Sequence, residues 1–202
     1  MKEKIQGIIG LLIIGFFLFG FGKFIYNRNF ADAEFTILKP SQISVPVKGA
    51  LFWHEAELEH TAGNSMLGAK LTAEESFYIK PLYEDLKKTG MVSEYISTMS
   101  DLATEKLIAL DAYSGKEPDV WAMARQNNFP YVFKVVISSF SGKNRTSNLE
   151  RATYRYSLYT TDKKLLWEVE SPRLAGFLGG MPDSKNTIAD LTKQLKEAKI
   201  IN

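Results

Sequence analysis

The chain has 202 residues, with 25 basic and 23 acidic side chains and a formal net charge of +2. Because basic and acidic side chains are nearly equal in number, the composition gives no sign of a nucleic-acid partner, which would require a basic surface. Aromatic residues make up 12% of the chain and cysteine is absent, so the sequence can form a packed core but no disulfide.

Residues 5–22, IQGIIGLLIIGFFLFGFG, form the most apolar stretch and carry no charge. A helix of this length rises about 1.5 Å per residue and spans about 27 Å, close to the hydrocarbon core of a bilayer. We therefore predict an N-terminal transmembrane helix. Its membrane-spanning residues include Ile5, Ile9, Leu12, Phe16, Phe19 and Gly22.

Two other interpretations of this stretch are a cleaved signal peptide and a buried core helix. A signal peptide needs small residues at a cleavage site, and the A-x-A pattern at 31–33 begins well beyond Gly22, across charged and aromatic residues. A helix that is apolar on all sides is hard to bury in so small a domain. We favour an uncleaved single-pass anchor, with the short tail in the cytoplasm and the C-terminal domain on the other side of the membrane.

The rest of the chain divides into a tether and one domain. We assign 1–28 to the anchor with its short tail, 29–45 to a tether interrupted by Pro40, and 46–202 to a single globular domain. Strand-like and helix-like apolar patterns alternate within that domain. They predict an α+β fold, an α/β sandwich in which a mixed sheet of about five strands is flanked by helices.

The first predicted strand begins near residue 50, where apolar and polar residues start to alternate. Phe52 and His54 fall on one face of this strand, and Trp53 and Glu55 fall on the other. A shorter strand is predicted at 91–96.

His54 and His60 are the two histidines of the chain, and His54 begins a sequence that resembles the zinc motif H-E-x-x-H. Leu58, however, occupies the position of the second histidine. On a strand, His54 and His60 would lie about 20 Å apart. We therefore predict no metal site, and we find no catalytic or cofactor-binding motif.

Helices are predicted between and after these strands. A capping box at 72–75 begins a helix that Pro81 kinks or restarts and that Gly90 ends. Further helices are predicted from Ser100 to about residue 112, at 119–128, and from 183 towards the C-terminus.

A central strand and a hairpin are predicted in the second half of the domain. Residues 131–140 are almost all apolar, which is typical of a central strand. Residues 151–160 and 165–171 predict a hairpin around the turn 161–164. Symmetric folding of this hairpin predicts three cross-strand pairs: Leu158 with Trp167, Tyr156 with Val169, and Arg155 with Glu170.

Residues 172–182, PRLAGFLGGMP, are predicted to form a Gly-rich loop with apolar content. Their glycine spacing does not fit a phosphate-binding loop. The segment either packs on the core or contacts a partner or the bilayer. The possible contact residues are Leu174, Phe177, Leu178 and Met181.

Two segments carry a resemblance to known proteins: ARQNNFPYVFKVVISSF, which ends at Phe140, and YRYSLYTTDKKLLWEVE, from Tyr154 to Glu170. They resemble the α/β domain of bacterial envelope lipoproteins of the curli-secretion and penicillin-binding-protein-activator type. In those families a helix leads into an apolar strand, and a later hairpin carries an Asp-bearing turn before a Leu-Trp strand.

Asp162, Leu166 and Trp167 occupy the corresponding places here. The resemblance implies scaffolding or protein contact and no catalytic residues. This chain departs from those families because a predicted membrane helix stands where they usually begin with a lipidated cysteine.

The apolar segment and this resemblance together predict a membrane-anchored envelope protein that acts as a protein-interaction or assembly module. Its expected location is a bacterial inner membrane, as a single-pass protein with the C-terminal domain in the periplasm. Its expected partners are the bilayer, through the N-terminal helix, and an envelope protein or a second copy of itself. No nucleic acid and no cofactor are expected. The alternative is a membrane-anchored hydrolase or transferase whose site is assembled from scattered residues such as His54, Ser65 or Tyr78.

Overall fold

The computed structural model describes residues 10, 12, 14–22, 33–56, 75–97, 120–141, 150–175 and 184–202. The strands in these ranges are β1 (Thr36–Lys39), β2 (Ala50–Ala56), β3 (Val92–Ser97), β4 (Tyr131–Ser141), β5 (Glu150–Thr160) and β6 (Leu165–Ala175). The helices are α1 (14–22), α2 (Lys80–Lys88), α3 (Val120–Gln126) and α4 (Ser184–Glu197), with a π-helical turn at Glu75–Ile79. The helix predicted from Ser100 lies outside the described residues.

The described strands form one mixed sheet in the order β1-β6-β5-β4-β2-β3. β2 is parallel to β3 and β4, whereas the β4–β5, β5–β6 and β6–β1 pairs are antiparallel. The fold is therefore α+β, as predicted, with six strands instead of about five.

The additional strand is β1, which lies in the stretch predicted to be an irregular tether. It pairs with Glu168–Glu170 of β6 and ends immediately before Pro40. A strand of four residues is too short to give a clear alternating pattern. It forms because the outer side of β6 offers unpaired backbone groups, which β1 partly covers.

The β5–β6 hairpin has the predicted register. Leu158 lies opposite Trp167, Tyr156 opposite Val169, and Arg155 opposite Glu170. The Arg155 and Glu170 side chains form an ion pair at 3.5 Å. The turn closes through hydrogen bonds between Thr160 and Lys164, and Lys163 adopts a left-handed backbone with φ of 66°.

Both faces of the sheet are covered, which places β2 in the interior. On one face, Phe52 and its neighbours pack in a large apolar cluster with Leu82 of α2 and Leu191 of α4. On the other face, Trp53 packs in a smaller cluster with Val120 of α3. The predicted alternation of β2 is confirmed, and the flanking helices are those of a sandwich.

The first turn of the helical segment before α2 differs from the prediction. Pro81 lies in the first turn of α2 and Gly90 closes the helix with φ of 75°, as expected. Phe77, expected on the apolar stripe, is instead 61% exposed. A π-helical turn is wider than an α-helical one, so it directs Glu75 and Tyr78 inward in place of Phe77.

Helix α4 ends with Lys199 in the left-handed region, at φ of 58°. The Ile200 N–H donates to the Leu195 carbonyl at 2.9 Å, and the Lys199 N–H donates to the Lys196 carbonyl at 2.9 Å, which is a Schellman ending. Glycine usually occupies this position, because without a Cβ it adopts a positive φ at no steric cost.

We expect Lys199→Gly to raise the free energy of unfolding by about 0.5–1 kcal/mol, since it relieves the left-handed strain. The matched control is Lys193→Gly at an exposed interior position of α4, which should lower it by about 1 kcal/mol. Urea unfolding followed by circular dichroism measures both. An equal loss in the two variants would contradict the expectation.

Residues 14–22 are helical, and their side chains are exposed. Among the described residues, no helix has both the length and the apolar character required to cross a bilayer. Ile5 and Ile9 of the predicted span lie outside those residues, whereas Leu12, Phe16, Phe19 and Gly22 are helical and exposed. The membrane span remains a prediction from the sequence.

Candidate functional site at the carboxyl end of the sheet

Strands β2, β3, β4 and β6 all end at the same end of the sheet, which we call the carboxyl end. This follows from the parallel pairing of β2 with β3 and β4, and from the two antiparallel steps from β4 to β6. The intervals 57–74, 98–119, 142–149 and 176–183 each begin where one of these strands ends. In open sheets with parallel strands, ligands bind outside such ends.

The N-terminal part of the chain joins the domain at this same end. The Ala33 N–H donates to Asp190 Oδ2 of α4 at 2.7 Å, and the Phe35 ring lies 6.1 Å from the Tyr156 ring. Residues 23–32 separate α1 from Ala33. Even fully extended, this connection places α1 within about 40 Å of the carboxyl end.

Beyond the last residue of β2, three strands continue as a sheet extension made of residues 139–141, 150–153 and 172–175. Ala56 lies in the row of Ile137, which pairs with Tyr154. Further rows follow, up to the pair of Glu150 with Ala175. The extension adds about 14 Å of sheet at the rise of a β-strand.

The first four residues of the segment 172–182, which was predicted to be a loop, belong to a strand in the structure. β6 continues to Ala175, so Pro172 and Leu174 belong to a strand and not to a loop. Leu174 pairs with Arg151 in the sheet extension. Phe177, Leu178 and Met181, the other predicted contact residues, lie outside the described residues.

Buried hydroxyl groups lie beside the carboxyl end, below the π-helical turn. The Tyr78 and Tyr156 hydroxyls share a buried hydrogen bond of 2.6 Å, and the Tyr95 hydroxyl donates to Glu75 Oε1 at 2.7 Å. Burial, and next the hydrogen bond to Glu75, raise the pKa of the Tyr95 hydroxyl. The Tyr95 phenol therefore donates to Glu75 in its neutral form, and the two hydrogen bonds together hold the π-helical turn onto the sheet.

His54 and Ser97 form a second buried polar pair, on the adjacent strands β2 and β3. The distance between Ser97 Oγ and His54 Nδ1 is 3.4 Å. His54 is 0% exposed and Ser97 is 6% exposed. Burial lowers the pKa of the His54 imidazole from 6.5 to about 4, so it is neutral at pH 7.

A nucleophile and its base must reach a substrate, and the burial of Ser97 and His54 closes them off from one. Tyr78 is also fully buried, and Ser65 lies outside the described residues. In the described ranges, no three His, Cys, Asp or Glu side chains are grouped so as to hold a metal ion. A structural role, in which they position the π-helical turn and β3, explains the buried polar pairs better than a catalytic role does.

A surface groove lies at the opposite end of the sheet, between β1 and the C-terminal part of α4. It has a volume of about 390 Å³. Trp167 forms part of its wall, and Ile37 of β1 flanks it. This groove has no signal in the sequence, because one of its sides is β1, which forms only by pairing with the distant strand β6.

No known protein-family profile and no curated protein matches the chain. Solved structures with some similarity include two PelC dodecamers from Paraburkholderia phytofirmans, one of them a point variant. One has a TM-score of 0.45 and 13% identity, covering 83% of this chain and 99% of PelC. The other has a TM-score of 0.44 and 11% identity, covering 82% and 98%.

Lipoprotein GNA1162 from Neisseria meningitidis is also similar, with a TM-score of 0.40 and 10% identity, covering 74% of this chain and 99% of that protein. One of these structures is thus described as a lipoprotein, the class to which the sequence resemblance pointed. The curli-secretion and penicillin-binding-protein-activator types are not among the three. At these scores we base no functional argument on the likenesses.

Proposed function

We propose that the protein is a membrane-anchored interaction module of the bacterial envelope, whose domain is held close to the bilayer with the carboxyl end of its sheet towards it. The anchor is the apolar segment 5–22, and the domain lies in the periplasm. The contact site is at the carboxyl end, at Leu174 and the neighbouring Phe177, Leu178 and Met181.

The observation that carries this proposal is the hydrogen bond between Ala33 and Asp190. It fixes the point where the chain enters the domain, ten residues (23–32) after the end of α1. A connection of that length restricts the domain to a layer within about 40 Å of the membrane. Since the described polar pairs are buried and mutually hydrogen-bonded, binding is better supported than catalysis.

The test uses the full chain in a bacterial host. A reporter fused after Asn202 should be active outside the cytoplasm, and the chain should stay with membranes after alkaline extraction. Leu12→Lys combined with Phe16→Lys should release it, because a lysine near the centre of a spanning helix costs about 3 kcal/mol. The control is Phe77→Lys, an exposed position in the domain that should leave the chain in the membrane.

Photo-crosslinking from position 174 in the same cells then identifies what lies at the contact site. A discrete crosslinked protein, or a dimer of the chain, supports the assembly role. Release of the unaltered chain by alkaline extraction, or a reporter active inside the cytoplasm, would overturn the proposed function.

A further inference from the structure

We propose that copies of this chain pair edge to edge in the membrane, with β1 of one copy adding to β3 of the next, so that one sheet continues into the other. This inference rests on the proposed function, because it takes the copies to share one bilayer. It goes further by naming a partner, a second copy of the chain, and by placing the interface on two described strands that lie apart from the contact site.

The outer strands of the sheet are β1 and β3, and in the described ranges neither pairs with a strand on its outer side. An outer strand presents backbone N–H and C=O groups that can bind a further strand. On β1, Ile37 is 60% exposed and Leu38 is 46% exposed. On β3, Glu94 is exposed, and Tyr95 and Ile96 are partly exposed. Both edges are therefore accessible, and both leave apolar side chains partly in water.

The directions of the two outer strands favour one way of joining the copies. β3 runs towards the carboxyl end, whereas β1 runs away from it, since β1 is antiparallel to β6. β1 of one copy therefore meets β3 of the next in antiparallel pairing when both carboxyl ends point the same way. Chains anchored in one bilayer need this orientation, because each enters its domain at the carboxyl end. Two β1 strands paired about a two-fold axis would instead invert one domain relative to the membrane.

The side chains of the two strands also match face by face. Ile37 of β1 lies on the sheet face of the main core, and Lys39 lies on the face covered by α3. On β3, Tyr95 packs on the main core and Glu94 lies on the α3 face. A register with Lys39 opposite Glu94 therefore puts Ile37 opposite Tyr95, so that apolar side chains meet on one face and opposite charges on the other. Within the chain, β1 pairs with β6 in the same alternation, with Lys39 opposite Glu168.

Lys39 has donors for both of its edges. Its Nζ donates to the Leu165 carbonyl at 2.6 Å, and an ammonium group has two further N–H donors. Opposite charges that face each other across antiparallel strands stabilise the pairing. A glutamate of the next copy at position 94 therefore complements Lys39 on the outer side of β1.

The membrane explains how so short an edge can hold two copies together. β1 has four residues, so it buries far less than the roughly 800 Å² per partner of a stable soluble complex. Anchoring in one bilayer raises the local concentration of the copies, which favours a weak contact. Because β1 and β3 are different surfaces, a pair of copies keeps one edge of each kind and can add further copies.

The chain contains no cysteine, so cysteines introduced at the two edges report this pairing directly. One pair is Lys39→Cys with Glu94→Cys. The second is Thr36→Cys with Ile96→Cys, at positions that lie opposite each other in the same register. Facing Cα atoms of antiparallel strands are about 4.5–5.5 Å apart, which a disulfide can span. The full chain is expressed in a bacterial host, its membranes are treated with a mild oxidant, and the products are separated on a non-reducing gel.

We expect each double variant to give a ladder of dimers, trimers and larger species. Each single variant should stay monomeric, because the two edges differ, and two single variants expressed together should give a dimer and nothing larger. The control combines Lys39→Cys with Gln126→Cys, an exposed position on α3, and should stay monomeric. Circular dichroism of each purified variant checks that the domain is folded.

The charge pair gives a second readout. Glu94→Lys is introduced into the variant that has cysteines at positions 36 and 96, where it sets a lysine opposite Lys39 of the next copy. The yield of crosslinked species should fall by about two- to fivefold, as expected for an opposite-charge pair replaced by like charges. The control is Glu84→Lys at an exposed position of α2, which should leave the yield unchanged.

The results that would overturn the inference are distinguishable from failure of the proposed function. If the double variants give no ladder while the chain stays with membranes after alkaline extraction, the edge pairing is wrong and the anchor stands. A dimer of the single variant Lys39→Cys, in the yield of the double variants, would show that copies meet through β1 alone and would also overturn it. If alkaline extraction releases the chain, the shared bilayer is lost, and the edge pairing and the proposed function fail together.

Discussion

Trp167→Ala is expected to lower the free energy of unfolding by about 3–5 kcal/mol, the usual cost of removing a buried tryptophan. Trp167 is 2% exposed and lies opposite Leu158 in the hairpin. Its ring is stacked on Phe133, with centroids 6.5 Å apart and planes at 20°. It is also part of the wall of the groove between β1 and α4. Its removal therefore opens a cavity that connects the groove to the main core.

Urea unfolding of the full chain in detergent, followed by far-ultraviolet circular dichroism, measures this loss without depending on tryptophan fluorescence. The matched control is Trp121→Ala on α3. Trp121 is only half-buried and belongs to the smaller cluster on the other face, so its removal should cost about 1–2 kcal/mol. Equal losses for the two variants would show that the main core does not depend on Trp167.

The hairpin around Trp167 could be predicted from the sequence because its determinants are local. Apolar residues alternate on both arms, and a one-residue slip would exchange the faces of every side chain. One register therefore satisfies the apolar pairs and the Arg155–Glu170 pair together. The alternation of β2 was predictable for the same reason, because strand periodicity needs no knowledge of the partner strands.

The two ends of β6 were predicted less well because they depend on distant parts of the chain. β1 is stabilised by pairing with Glu168–Glu170, more than a hundred residues later in the sequence. Pro172 suggested a loop, but β1 ends its pairing at Glu170, so Pro172 lies where β6 is an outer strand. Proline is tolerated in such strands.

The buried polar pairs of the candidate site could not be assigned from the sequence at all. Tyr78 and Tyr156 are 78 residues apart, and only the packing of the π-helical turn on β5 brings their hydroxyls together. His54 was placed on the correct strand face, but its neighbour Ser97 comes from the parallel strand β3. Parallel pairing has no local signal in the sequence, because it depends on a long crossover connection.

Burial of His54 should make the stability of the protein strongly dependent on pH. The folded imidazole has a pKa lowered to about 4, against 6.5 in the unfolded chain. Between these values the unfolded chain binds a proton that the folded chain does not, so acid favours unfolding. The contribution of neutral His54 to the free energy of unfolding is fully present above pH 6.5 and is lost as the pH falls to about 4. At about 1.4 kcal/mol per pKa unit, the loss is about 3 kcal/mol.

Unfolding free energies measured between pH 7.5 and pH 4 should therefore fall, and His54→Asn should flatten the fall by about 3 kcal/mol because asparagine does not titrate. His60→Asn is the matched control, since His54 and His60 are the only histidines of the sequence. Carboxylate titration at lower pH is common to all three proteins, so the difference between the two variants isolates His54. An imidazole resonance of His54 that titrates near pH 6.5 in the folded chain would contradict this account, because burial at the Ser97 contact would then not exclude the charged form.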